Sequence, residues 1–132
     1  MEAKLEALRE GLVELHKEIL EAQKIAYERE HGRVRSRGEL LQLVVAHPEF
    51  AWIRALSALI AELDEWVESD EEGRDDEVAA VVRALRGLLQ ADGSNAEFSA
   101  RYRPLLEATP EALVAHVRLW RLVTAEGKPG AP

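Results

Sequence analysis

Glu28 and His31 stand in a Glu-x-x-His spacing, half of the set by which ferritin-like bundles hold two metal ions. The full set needs a second such pair and two more inward glutamates; this chain has the single pair. On a helical projection Glu28 faces outward and His31 lies at the edge of the apolar face, so the two diverge and the di-iron chemistry is not expected. A different series draws more attention. Arg9, His16, Gln23 and Glu30 recur every seven residues inside an otherwise apolar face. On the last helix His116 projects between Val123 on one side and Trp120 and Leu113 on the other. Ser57 and Asp64, also seven apart, flank the apolar arc of a third helix, and Tyr27 and Tyr102 place phenols on inward faces.

These spacings predict that His16, Gln23, Glu30 and His116 meet inside the bundle, with Tyr27, Tyr102 and Asp64 as further members. Buried polar groups need partners, because an unpaired one is costly. One reading is a hydrogen-bond network that fixes helix register. The other is a pocket for a small molecule or a metal, in which His16, Glu30 and His116 would supply the His/Glu donors of a hydrolytic zinc site. No His-Glu-x-x-His or comparable spacing supports the zinc chemistry, and nothing specific supports a haem held by His16 and His116. No metal or cofactor is assigned. A Gly-rich phosphate loop and a Gly-x-Ser-x-Gly elbow are both missing from the sequence, and with no cysteine there is no thiol chemistry. His47, before Pro48, reads as a capping or packing residue, and His31 as a side chain suited to the negative end of a helix.

Two charged stretches are candidate contacts. Arg33, Arg35 and Arg37 read as solvated residues pairing with Glu30 and Glu39, as an anion site at a helix N-terminus, or as a docking patch for the acidic segment of another copy. Residues 62–77 hold ten acids and one arginine, so the rest of a chain of net charge −8 is close to neutral. That segment is either a solvated interhelix loop or a docking site for a basic partner. It repels nucleic acid locally, and no basic helix with groove-reading spacing appears.

The elements that must position these residues follow from apolar periodicity. Leu5, Leu8, Leu12, Leu15, Ile19, Ala22 and Ala26 form a heptad seam, with Val13, Leu20 and Tyr27 beside it; Gly32 ends that helix. Ser36 to Glu39 is a capping box for a short helix with Leu40, Leu43 and Val44 inward, and Pro48 ends it. Pro48 also begins a third helix carrying Trp52, Ile53, Leu56, Leu59, Ile60, Leu63, Trp66 and Val67. A fourth starts near Asp75 or Asp76 and buries Val78, Val81, Val82, Leu85, Leu88 and Leu89, with Asp92-Gly93 at its end. Ser94 to Glu97 caps a fifth with Phe98, Tyr102, Leu105 and Leu106 on one side, and Pro104 is expected to kink or break it. Thr109-Pro110 opens a last helix that carries Leu113, Val117, Leu119, Trp120 and Val123. The expected architecture is an all-α, single-domain bundle of four longer and two shorter helices over residues 1–126, with a disordered tail at 127–132.

At 132 residues, 47% hydrophobic and 32% charged, the composition fits a soluble globular domain. No apolar run approaches the roughly 20 residues of a membrane span, and the charged N-terminus is not a targeting segment, so a cytoplasmic location is the default. The runs "YEREHG", "ELLQLV", "HPEFAWIRALSALIAELDE" and "FSARYRPLLEATPEALVAHVRLW" resemble a widespread, uncharacterised family of small bacterial all-helical proteins. That resemblance implies a bacterial, cytoplasmic, helical protein and supplies no activity, cofactor or catalytic residue. The expected function is therefore binding rather than catalysis: a helical bundle that self-associates or docks a protein partner, with no nucleic-acid or membrane role. The alternative is a metal- or small-ligand-binding bundle, possible as a catalyst, built on His16, Glu30 and His116.

Overall fold

The computed structural model describes residues 2–68, 75–90 and 96–126. They form six α-helices, and among the described residues there is no strand. The helices are α1 (Glu2–His31), α2 (Arg37–Ala46), α3 (Arg54–Glu68), α4 (Asp75–Gln90), α5 (Ala96–Ala108) and α6 (Pro110–Glu126), with a 3₁₀ segment, Pro48–Ile53, leading into α3. The expected all-α bundle of four longer helices (α1, α3, α4, α6) and two shorter ones is what the chain adopts. The centre of the acidic segment, residues 69–74, the turn at Asp92-Gly93 and the tail expected to be disordered all lie outside the described residues.

α1 is the axis of the structure. Leu5, Leu8, Leu12, Leu15 and Ile19 are buried along it, each contributing about 1.5–3 kcal/mol on leaving water. The helix packs against α6, α3 and the 3₁₀ segment; α4 lies on α6 and α3, and α5 on α6 and the 3₁₀ segment. Gly32 stops α1 with φ of 93°, a left-handed conformation that glycine adopts without steric penalty. Ser36 caps α2, its Oγ accepting from Glu39 N–H at 3.1 Å. α2 itself buries no residue fully, so it lies along the surface with Leu40, Leu43 and Val44 only half-buried.

Four local expectations need correction. The third helix does not begin as an α-helix at Pro48. Its first six residues are 3₁₀, started by Phe50 N–H bonding the His47 carbonyl at 3.0 Å. The tighter winding puts Phe50 and Ile53 on one face, and both are fully buried, with Trp52 beside them. α5 runs through Pro104 without a break. Pro104 and Ala100 are both on the solvent side, so the carbonyl deprived of its intrahelical donor is left to water. On α6, Leu113 and Val117 are exposed, and the buried line is Ala112, Ala115, Leu119 and Val123. On α1, Ala26 and Val13 are likewise exposed.

α1 and α6 run antiparallel and close: a Cβ on Gly11 would stand 3.1 Å from Leu119 Cδ1 and 3.5 Å from Leu122 Cδ1. Gly11 leaves room for those two leucines, and earlier on α6 the buried positions are the small Ala112 and Ala115. No single helix among the described residues is long and apolar enough to cross a membrane.

Gly11 gives a direct check. Gly11→Val is expected to destabilise the fold by about 1–3 kcal/mol through overpacking against Leu119 and Leu122. Gly11→Ala is expected to be close to neutral, because a helix-propensity gain of up to about 1 kcal/mol offsets the small displacement of Leu119. Urea denaturation followed by helical circular dichroism separates the two.

Candidate functional site

The polar residues of α1 do not converge on one cluster. They pair, rung by rung, with the segment that runs back beside them. Arg9 Nε donates to Asp64 Oδ1, a half-exposed ion pair. His16 Nε2 lies 2.8 Å from Ser57 Oγ, and that hydroxyl reaches the Ile53 carbonyl at 3.5 Å. Trp52 Nε1–H donates to Gln23 Oε1 at 3.0 Å. His31 Nε2 meets Glu49 Oε2 at 2.8 Å. Positions on α1 rise as their partners fall, which is the pattern of two antiparallel elements in fixed register.

His116 belongs elsewhere. Its Nδ1 lies 2.7 Å from the hydroxyl of Tyr102 on α5. Tyr102 is fully buried, and desolvation pushes its phenol well above the usual tyrosine range. The phenol therefore donates and His116 Nδ1 accepts, which leaves the ring proton on Nε2. This pair forms one wall of a pocket of about 320 Å³ with Arg103, Leu106 and Trp120.

The expected His16–Glu30–His116 donor set is thus not assembled. His16 is bonded to α3 and His116 to α5. Glu30 is exposed and lies fourteen residues, roughly 21 Å of helix, beyond His16. Tyr27 and Asp64 also go to separate places, Tyr27 to the α1 terminus and Asp64 to Arg9. The arginine loop needs a correction too. Arg33, Arg35 and Arg37 are exposed and make no ion pair to Glu30 or Glu39. Instead Glu39 Oε1 accepts the backbone N–H of Arg35 at 2.7 Å, and Glu28 Oε2 accepts that of Val34 at 2.8 Å.

Two features were not foreseen in the sequence. The first is a groove of about 1000 Å³ along the last turns of α1, the end of α5 and the start of α6. Ile25, Ala26, Pro104 and Leu105 give it an apolar floor; Glu18, Glu21, Glu30, Glu49 and Glu111 stand on it against two arginines, Arg29 and Arg101. Ile25 is 43% exposed there. At its base Gln23 is buried, 7% exposed; its carbonyl is taken by Trp52, while its amide NH₂ has no partner among the described residues.

The second is a histidine junction. Gly32 reverses the chain, α2 carries it back, and Pro48 stops α2 so that His47 and Glu49 arrive beside His31. One donor atom from each of the three lies within 4.8 Å of the other two. Tyr27 stacks on His31 with ring centroids 4.5 Å apart and meets His47 edge-on at 5.2 Å. His47 is a cap, as expected: its Nδ1 accepts the Glu49 N–H at 3.1 Å. The sequence signals for this junction were the closely spaced stops at Gly32 and Pro48, which return the chain to the end of α1.

Burial lowers the pKa of both His16 and His116 from 6.5, because the charged imidazolium is desolvated. The unfolded chain, with ordinary histidines, then takes up protons that the native state refuses. Stability contributed by the two neutral rings is present above the unfolded pKa. It falls as pH drops below about 6.5 and levels off once the folded pKa values are passed. A His16→Gln, His116→Gln double variant is expected to show a flatter stability profile than the parent between about pH 7 and about pH 5.5, measured as urea midpoints.

Comparison of the chain with protein families, with curated proteins and with solved structures finds no match in any of the three, so the functional reading rests on this geometry.

Proposed function

We propose that the chain is a non-enzymatic binding protein that docks a basic amphipathic segment of a protein partner in the α1–α5–α6 groove. The observation that carries this reading is the groove itself, an apolar floor under five carboxylates and two guanidinium groups. An apolar stripe on the partner would cover Ile25 and Leu105, and flanking lysines or arginines would meet the rim. The unpartnered Gln23 amide would donate to a carbonyl of the entering chain. An acidic segment is disfavoured by the rim and by the chain's net charge of −8.

The test is a titration with two synthetic amphipathic helices of equal length, one of leucine and lysine, the other of leucine and glutamate. The lysine peptide is expected to bind and to weaken as salt is raised. Ile25→Glu is expected to weaken it roughly tenfold, equivalent to about 1.4 kcal/mol, by placing a charge on the apolar floor. Equal binding of both peptides, or indifference to Ile25→Glu, overturns the reading.

Self-association is the second reading, favoured by Leu113, Val114 and Val117, which stand exposed together on α6. Light scattering at rising protein concentration is then expected to show a dimer that Val114→Lys returns to monomer; monomer throughout rejects it.

A further inference from the structure

We infer that the histidine junction is a binding site for one divalent transition-metal ion, held by His31, His47 and Glu49. The case starts from donor chemistry. Two imidazoles and one carboxylate form a three-donor set that leaves coordination positions open, and they suit zinc, cobalt, nickel or iron(II) better than magnesium or calcium, which prefer all-oxygen shells. The absence of thiolate removes the preference for softer ions.

The geometry is close to what such an ion needs. Donors on one zinc stand about 2.0–2.2 Å from the metal, hence roughly 3.3 Å from one another in a tetrahedral shell. All three donor atoms already fall within 4.8 Å. The His31–Glu49 pair, at 2.8 Å, would open by a few tenths of an ångström, and His47 would move in. Tyr27 stacks on the first imidazole and meets the second edge-on, and Phe50 lies edge-on to His47, so the rings are held by neighbours rather than left to rotate in solvent. His31 is the last residue of α1, where the helix dipole favours a cation.

His47 sets a specific condition. A neutral imidazole has a single free lone pair, and at His47 that lone pair accepts the Glu49 N–H. Metal capture through Nδ1 therefore releases the Glu49 amide from its cap. The ion would also join the end of α1 to the 3₁₀ segment across eighteen residues of chain. Glu49 stands on the docking groove as well, so an occupied site withdraws one negative charge from the rim. The metal site does not depend on that groove having a partner, and its test reads the metal directly.

The test uses the full chain without a histidine tag. Titration with cobalt(II) is expected to give visible d–d absorption that saturates at one equivalent. His47→Ala and Glu49→Gln, both checked for unchanged helical content, are each expected to weaken it about a hundredfold, at least the loss seen for disrupting a ligand's supporting shell. In nuclear magnetic resonance spectra, zinc(II) is expected to move the Glu49 amide resonance and speed its hydrogen exchange. The inference is overturned if no d–d absorption develops, if absorption survives when His47→Ala and Glu49→Gln are combined in one chain, or if the Glu49 amide is unmoved by bound metal.

Discussion

The structure depends on one constraint: every polar group that α1 carries toward its neighbours needs a partner at a matching height on the returning chain. Arg9 with Asp64, His16 with Ser57 and Gln23 with Trp52 meet it in sequence. The first two rungs are seven residues apart on both elements. Each bond is worth little by itself, about 1 kcal/mol or less for partly exposed pairs. Their joint effect is on register. A slide of α3 along α1 by one helical turn leaves the leucines in contact with other apolar residues, but it strands Ser57, Asp64 and the Trp52 N–H together. Apolar packing supplies most of the stability, and the polar rungs select one alignment among several that packing alone would tolerate.

The same constraint explains which parts of the chain were legible in its sequence. Helix type and order follow from periods of three and four residues and from the stops at Gly32 and Pro48, signals that are local. The inward direction of Arg9, His16 and Gln23 was also legible, and so was the pairing potential of Ser57 and Asp64 at the same spacing. What was not legible was who meets whom. A wheel gives direction around an axis but not height along it, so residues on three helices were expected to share one cluster when they stand on successive levels. Leu113 and Val117 were misassigned for a related reason. Side-chain size suggests that they face the core, yet α6 buries Ala112 and Ala115 there instead. The histidine junction needed the whole excursion through α2 to be folded before His31 and Glu49 became neighbours.

Along α1 the environment changes from sealed to open. Its line of fully buried apolar residues ends at Ile19, Gln23 is the last buried side chain, and in the final two turns Tyr27 packs against the core only in part. Those turns form one wall of the groove and end at the histidine junction. Both candidate binding features therefore sit at the end of the bundle where α1 is only partly covered, and where α2 lies on the surface without a fully buried residue.

That gradient decides which histidines can do chemistry. His16 and His116 have each given a ring nitrogen to a hydroxyl, Ser57 and Tyr102 respectively, and burial lowers the pKa of both. Among the described residues, neither belongs to a group of three convergent donor atoms. At His31 the neighbours are a second imidazole and a carboxylate, on a surface open to ions, with aromatic rings fixing the approach. The residue type is the same in all three places. What differs is the company each ring keeps: a hydroxyl at His16 and at His116, and at the last rung a carboxylate and a second imidazole, whose present bonds to one another a metal would replace.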